Sequence, residues 1–273
     1  MTRARADDGP KAFVKIASSG ERLDQEAAGL RWLAEAEEGG GTRIVRVLGL
    51  TASRLELEYV PEVAATREAA RRFGASLART HAAGAGWFGC PPTGWPGGAT
   101  IGRSRQPFIL DADAAPATWG EFYADLRIAV FTKRLRDSGL IDATEARSYD
   151  RLCDRLRAGE FDAPQPGLVN RVVARVHGDL WAGNVLWSGE ATGAVLIDPH
   201  ARGDHGESDL GMLGLFGLAH LNEVYSAYDE VSPLADGWRE RLSLHALSPL
   251  MFHALLFGGG YGAQALAVAR SYA

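Results

Sequence analysis

The sequence predicts an α+β protein of two lobes, a small strand-rich one followed by a larger helical one. Residues 1–60 read strand, helix, strand, strand. From residue 62 onward the apolar period is helical. Inside that helical stretch sits one short hairpin with polar residues at its strand ends. The lobes are therefore drawn as residues 1–61 and 62–273.

Residues 12–16 (AFVKI) predict a buried strand bearing one lysine, and residues 18–20 a turn. Leu23, Ala27, Leu30 and Leu33 then recur at helical spacing, and Gly39-Gly40-Gly41 end that helix. Residues 44–50 (IVRVLGL) and 54–60 (RLELEYV) read as two strands, the second stopped by Pro61. Residues 66–83 form a helix. The Gly- and Pro-rich stretch 84–116 is a long irregular loop, a length that often serves function. Residues 118–138 form a second helix capped by Thr118, and residues 143–158 a third. Residues 171–176 (RVVARV) return to a strand pattern. Residues 185–187 and 194–197 are short strands around the turn SGEATG. The rest is apolar and helical.

Composition narrows the function. The chain has 273 residues, 46% hydrophobic and 23% charged, which supplies a sizeable core and excludes disorder as the main state. A net charge of −5 argues against nonspecific nucleic-acid binding, which needs a basic face. The cysteines Cys90 and Cys153 are too few for a disulfide scaffold or a Cys-rich metal site, and read as free thiols. Residues 242–269 carry no Asp, Glu, Lys or Arg. Ser248-Pro249 and Gly258-Gly259-Gly260 break the stretch, so two buried helices are expected rather than a membrane span. The start, MTRARADDGPK, lacks the apolar segment of a signal peptide, and cytoplasmic placement is expected.

The chemistry concentrates in VHGDLWAGNVLW, residues 176–187, and AVLIDP, residues 194–199. Asp179 and Asn184 stand five apart on one tight loop. Asp198 follows at the end of the next strand, and the hairpin lets Asn184 and Asp198 converge. An amide carbonyl and a carboxylate suit Mg²⁺, a hard ion that prefers oxygen ligands. Asp179, just ahead, is placed to orient or deprotonate a hydroxyl. This order and spacing is the phosphoryl-transfer arrangement of the kinase fold. That fold also needs a lysine on a strand and a glutamate on the following helix. Lys15 in FVK fits the first and would hold the ATP phosphates. Glu26 fits the second; Glu21, Glu35, Glu37 and Glu38 are rivals, but only Glu26 lies in the apolar-periodic middle of the helix. Glu58-Tyr59-Val60, before Pro61, would be the hinge whose backbone meets the adenine edge.

HGDLWAGN, with tryptophan after the Asp-Leu pair, resembles the fructosamine kinase (ketosamine-3-kinase) family. Aminoglycoside and choline kinases usually have HGDLHxxN there. Three further segments resemble that family: residues 203–213 (GDHGESDLGML), residues 119–127 (WGEFYADLR) and Ile101-Gly102. The resemblance runs from about Phe13 to the C-terminus. It implies a protein-kinase-like fold and an ATP-dependent sugar kinase that phosphorylates a hydroxyl of a ketoamine such as a fructosamine or ribulosamine, on a small molecule or a protein lysine. The phosphorylated adduct then falls apart, which makes the activity a deglycation repair. By position, Asp179 would be the catalytic base, Asn184 and Asp198 the Mg²⁺ ligands, and Lys15 and Glu26 the phosphate-side pair. Trp181 would wall the acceptor sugar. His177, His205 and Asp209 would support the catalytic loop.

One departure from the family is expected at the N-terminus. Residues 3–6 fit a second strand and Asp7-Asp8-Gly9 the turn into the lysine strand, so the first strand and the glycine-rich loop over the phosphates are missing. A noncatalytic binding module, or a kinase for an aminoglycoside, choline or free sugar, is the alternative. The exposed sheet edge this leaves makes a strand-mediated dimer the alternative to a monomer.

Overall fold

The computed structural model describes residues 12–17, 22–98, 100–101 and 104–273. The strand at 3–6, the turns at 7–9 and 18–20, and Gly102 lie outside them.

The described chain runs β1 (Ala12–Ile16), α1 (Leu23–Ala34), a 3₁₀ turn, β2 (Arg43–Ile44), β3 (Val47–Leu50), β4 (Arg54–Glu58) and α2 (Arg67–Ala82). A long loop follows, carrying the two-residue strands β5 (Thr100–Ile101) and β6 (Ser104–Arg105). Then come α3 (Trp119–Tyr123), a π turn (Ala124–Ile128), α4 (Ala129–Asp137) and α5 (Ala143–Arg157). The strands β7 (Ala174–Val176), β8 (Val185–Trp187), β9 (Ala194–Leu196) and β10 (Arg202–Asp204) precede α6 (Glu207–Leu215), α7 (Leu221–Val231), α8 (Trp238–His245), α9 (Leu247–Phe257) and α10 (Gly260–Tyr272). This is a strand-rich part followed by a helical part, as the sequence patterns require.

β1 pairs antiparallel with β4, and β4 with β3, giving the sheet order β1-β4-β3. In that register Lys15 lies opposite Leu55 and Ala12 opposite Glu58. Helix α1 turns Leu23, Ala27, Leu30 and Leu33 into a core that also takes Leu55 and Leu57 of β4, Phe73 and Leu77 of α2, and Tyr228 of α7. A second core joins Phe122, Ile128, Phe131, Tyr149 and Leu152 to Leu250, Met251 and Ala265 of α9 and α10. Each large side chain so buried stabilises the fold by roughly 1.5–3 kcal/mol.

Some elements differ from the sequence patterns. The stretch 44–50 is two strands, because β2 leaves the sheet to pair in parallel with β9 of the β8–β9 hairpin, and Val45 N–H donates to the Leu196 carbonyl at 3.0 Å. Only Ala174–Val176 of the stretch 171–176 is strand. The stretch 242–269 spans the end of α8 and most of α9 and α10, three helices rather than two. Pro249 falls in the first turn of α9, where its missing N–H breaks no bond. No described helix is long and apolar enough to cross a membrane. Thr118 caps α3 in a reciprocal box with Glu121.

Helices α2 and α7 cross at Gly74. A Cβ built there would sit 2.1 Å from the Val224 carbonyl oxygen, which belongs to a helix backbone and cannot swing aside. Gly74→Ala should therefore force the helices apart. The expected loss is at least 1–3 kcal/mol, on the order of other overpacked cores, read as a lower Tm in thermal unfolding. An unchanged Tm would mean that the two helices are not in this contact.

Candidate active site

The catalytic loop leaves β7 at His177 and reaches β8 through a 3₁₀ turn at Ala182–Asn184. Its path is fixed by one carboxylate. Asp209, in the first turn of α6, accepts the His177 N–H at 2.7 Å and the Gly178 N–H at 2.8 Å. His81 Nε2 lies 3.1 Å from the same carboxylate, and His81 Nδ1 lies 2.7 Å from the Tyr228 hydroxyl. Burial alone would raise the Asp209 pKa, but the hydrogen bond and charge of His81, with the loop N–H groups, hold it below the usual carboxylate range. Gly178 has φ +80°, and a Cβ there would meet the His200 carbonyl at 2.2 Å, so only glycine lets the loop pass.

Asp179 sits at the mouth of this loop. The Asn184 side-chain N–H₂ donates to the Asp179 carbonyl at 2.8 Å and to its carboxylate at 3.3 Å. Burial, then the nearby Asp198 charge, pushes Asp179 up to about 7. Asp198 follows β9 at φ 55°, a left-handed conformation rare outside glycine. Its carbonyl lies 3.4 Å from the Asn184 nitrogen. Asn184 thus has its nitrogen engaged, while its oxygen accepts no hydrogen bond among the described residues.

Lys15 bridges to this centre from β1. Its ammonium donates to Glu26 at 2.8 Å and also to the Asp198 carboxylate. Burial lowers the Lys15 pKa, but the charges of Asp198 and Glu26 reverse this, and the net shift is upward. Glu26 is pushed up to about 7, first by burial and then by Asp198, with Lys15 opposing. Glu21 is outside the described residues. Glu35 pairs with Arg175 at 2.9 Å, and Glu37 accepts the Ile44 N–H at 2.9 Å.

The remaining expected residues have varied surroundings. Glu58 directs its carboxylate to Arg43 at 2.6 Å and to the Arg46 N–H at 3.2 Å, while its own N–H donates to the Arg46 carbonyl. The sequence Glu58-Tyr59-Val60, where the hinge is expected, starts at the end of β4. Tyr59 is 43% exposed. Trp181 is 39% exposed, with its ring over Gly183 and edge-to-face with Phe216 at 6.0 Å between centroids. It is a partly exposed aromatic side chain two residues after Asp179, not a core side chain. His177 is buried, and its Nε2 lies 2.8 Å from the Ile197 carbonyl. His205 is also buried, with Nε2 3.2 Å from the Pro164 carbonyl, and burial drives it down to about 4, so it is neutral.

His205, Glu207 and His245 share one buried space with metal-ligand atoms within 4.8 Å of one another. Glu207 already has Arg241 on both oxygens at 2.9 and 2.6 Å and His245 at 3.2 Å. With those bonds made, this is a hydrogen-bonded brace under α6 and not a metal centre.

Sequence reasoning missed His81, Arg202 and Arg127. His81 was visible only as part of a helical pattern. Arg202 donates to Asp204 at 2.9 Å and to the Gly178 carbonyl at 3.1 Å, tying β10 to the catalytic loop. Arg127 lies in the WGEFYADLR segment, which marked the helix but not the residue.

Fold and site together define a phosphotransferase of the protein-kinase-like class. The chain belongs to the fructosamine kinase family, whose model matches residues 2–272. It is 32% identical over 278 residues to a Synechocystis protein assigned as a ketoamine kinase, covering 95% of this chain and 82% of that one. It is 28% identical over 258 residues to a chloroplastic protein-ribulosamine 3-kinase of Arabidopsis thaliana, covering 92% and 72%. A crystal structure assigned as a fructosamine-3-kinase of Thermobifida fusca superposes with a TM-score of 0.83 at 39% identity, covering 97% of this chain and 86% of that one.

Proposed function

We propose that this chain is an ATP-dependent kinase that phosphorylates a sugar hydroxyl of a ketoamine, a fructosamine or ribulosamine, as a deglycation repair. The observation that carries the proposal is the meeting of the Lys15–Glu26 pair with Asp198, beside Asp179 and Asn184, in one cleft. Residues 1–61 would hold the nucleotide and residues 62–273 the acceptor, with the backbone of Glu58, Tyr59 and Val60 at the adenine. A cytoplasmic location is part of this proposal, because the reaction draws on ATP.

Asp179 accepts the proton of the attacking hydroxyl. A base with a pKa near 7 both stays available and takes the proton readily at neutral pH. Lys15, held by Glu26, turns to the phosphates when nucleotide enters. The centre also fits Mg²⁺. Asn184 offers an amide oxygen and Asp198 a carboxylate, and Asp179 and Asp198 repel each other in a way that a divalent cation relieves. Bound there, the ion would neutralise phosphate charge. Trp181 packs against the apolar face of the sugar. His177, His205 and Asp209 keep the loop in register.

The test is ADP release from Mg-ATP with a fructosamine, a ribulosamine, an aminoglycoside, choline and a free sugar. Turnover that depends on the ketoamines supports the proposal. Equal rates on all acceptors, or none on ketoamines, would sink it.

A further inference from the structure

A pocket lies beside Asp179, where the catalytic loop meets the π turn and α9. Asp179, Gln106, Arg127, Arg202, Phe252 and His253 are among its walls. Arg127 sits in the π turn, an irregularity frequent at functional sites. It is 1% exposed. Its Nη1 donates to the Leu126 carbonyl at 3.0 Å, and its guanidinium lies over the Phe122 ring, 4.6 Å from the centroid. Its Nε and Nη2 have no hydrogen-bond partner among the described residues. Those two groups form one edge of the guanidinium, the fork that grips two oxygens at once.

Burial brings Arg127 down to about 9, so it remains charged at neutral pH. A buried cation with an empty fork destabilises a fold unless a ligand supplies the acceptors. The side-chain oxygen of Gln106, in the same pocket, is also buried without a partner among the described residues. This pairing discriminates between ligands. With the Gln106 amide oriented as it is, a phosphate or carboxylate, which only accepts, would leave its oxygen unmatched. A hydroxyl both accepts and donates. Two neighbouring sugar hydroxyls therefore match the Arg127 fork and Gln106 together.

We propose that Arg127 is an acceptor-binding residue that grips two adjacent oxygens of the sugar, with Gln106 accepting from one of them, and so decides which hydroxyl faces Asp179. The proposal rests on the ketoamine-kinase assignment. Arg202 cannot substitute, because it is tied to Asp204 and the loop carbonyls.

Arg127→Met and Arg127→Lys test it, assayed with a ketoamine and with deoxy analogues each lacking one hydroxyl next to the phosphorylated position. Wild type should lose about 10- to 100-fold in kcat/KM on the analogue that lacks a gripped hydroxyl, the scale of one charged hydrogen bond. Arg127→Met should already be at least that slow on the parent ketoamine, and on the analogue should lose no more than the Gln106 contact contributes. Arg127→Lys keeps the charge but not the fork, and should stay defective. Thermal unfolding supplies a readout that a purely structural arginine would move the other way. Arg127→Met should keep or raise the Tm. A lowered Tm restored by lysine would assign Arg127 to the fold and overturn the proposal. So would parent activity within twofold of wild type, or undiminished discrimination against the analogue. Wild type inert toward every ketoamine would sink the assignment and this proposal together; an active wild type with unchanged variants would sink this proposal alone.

Discussion

Asp179→Asn should reduce ketoamine-dependent ADP release by roughly 100- to 10,000-fold, the span that a positioned general base contributes. The fold should survive, because the substitution keeps the side chain's shape and Asn184 still meets the Asp179 carbonyl at 2.8 Å. Stability should even improve. Asp179 is raised in the folded protein from 3.8 to about 7. The folded state thus binds this proton more tightly than the unfolded one. Its ionised form destabilises the fold, an effect absent below pH 3.8 and fully present above about pH 7. The variant carries no such charge. Unfolding measured without nucleotide or divalent cation should show Asp179→Asn gaining more over wild type at pH 8 than at pH 4. Loss of activity together with this gain is the mark of a residue strained for chemistry. A variant that turns over normally would remove Asp179 from the mechanism.

The catalytic hairpin was legible in the sequence because its information is local. Asp179, Asn184 and Asp198 lie within twenty residues, and the turn SGEATG alone dictates how the chain returns. Helix α1 was legible for the same reason, its apolar period surviving in every turn. What escaped depends on distant partners. The break between β2 and β3 exists because β9, about 150 residues later, competes for Arg43 and Ile44. His81 looked like one more helical residue; its role is set by Asp209, on another helix. The π turn leaves no period of its own to read, and an unpartnered Arg127 is a property of the packed neighbourhood alone. Glu58 was expected to serve the nucleotide through its backbone, and its backbone N–H donates instead to the Arg46 carbonyl. Its carboxylate is drawn off by Arg43, which β2 delivers only after that long-range pairing.

Lys15→Met is the second substitution with a large expected effect, and its cause is electrostatic. Lys15 stands between two carboxylates, Glu26 and Asp198. Removing it takes a cation from the phosphate side of the cleft, where one such group is worth on the order of 100- to 1,000-fold. It also leaves Glu26 and Asp198 facing each other uncompensated, so stability should fall as well. The two effects can be separated. Glu26→Gln alone removes the carboxylate that orients Lys15, and should slow turnover with ATP while costing little stability, since Glu26 is already pushed up to about 7. In the double variant the leftover repulsion is gone. Its Tm should exceed that of Lys15→Met, while its kcat/KM for ATP should be no worse. Residues that act as one unit give such non-additive cycles. Strictly additive losses in both Tm and kcat/KM would mean that Lys15 and Glu26 work independently, and that the pair seen at 2.8 Å does not prepare the lysine for the phosphates.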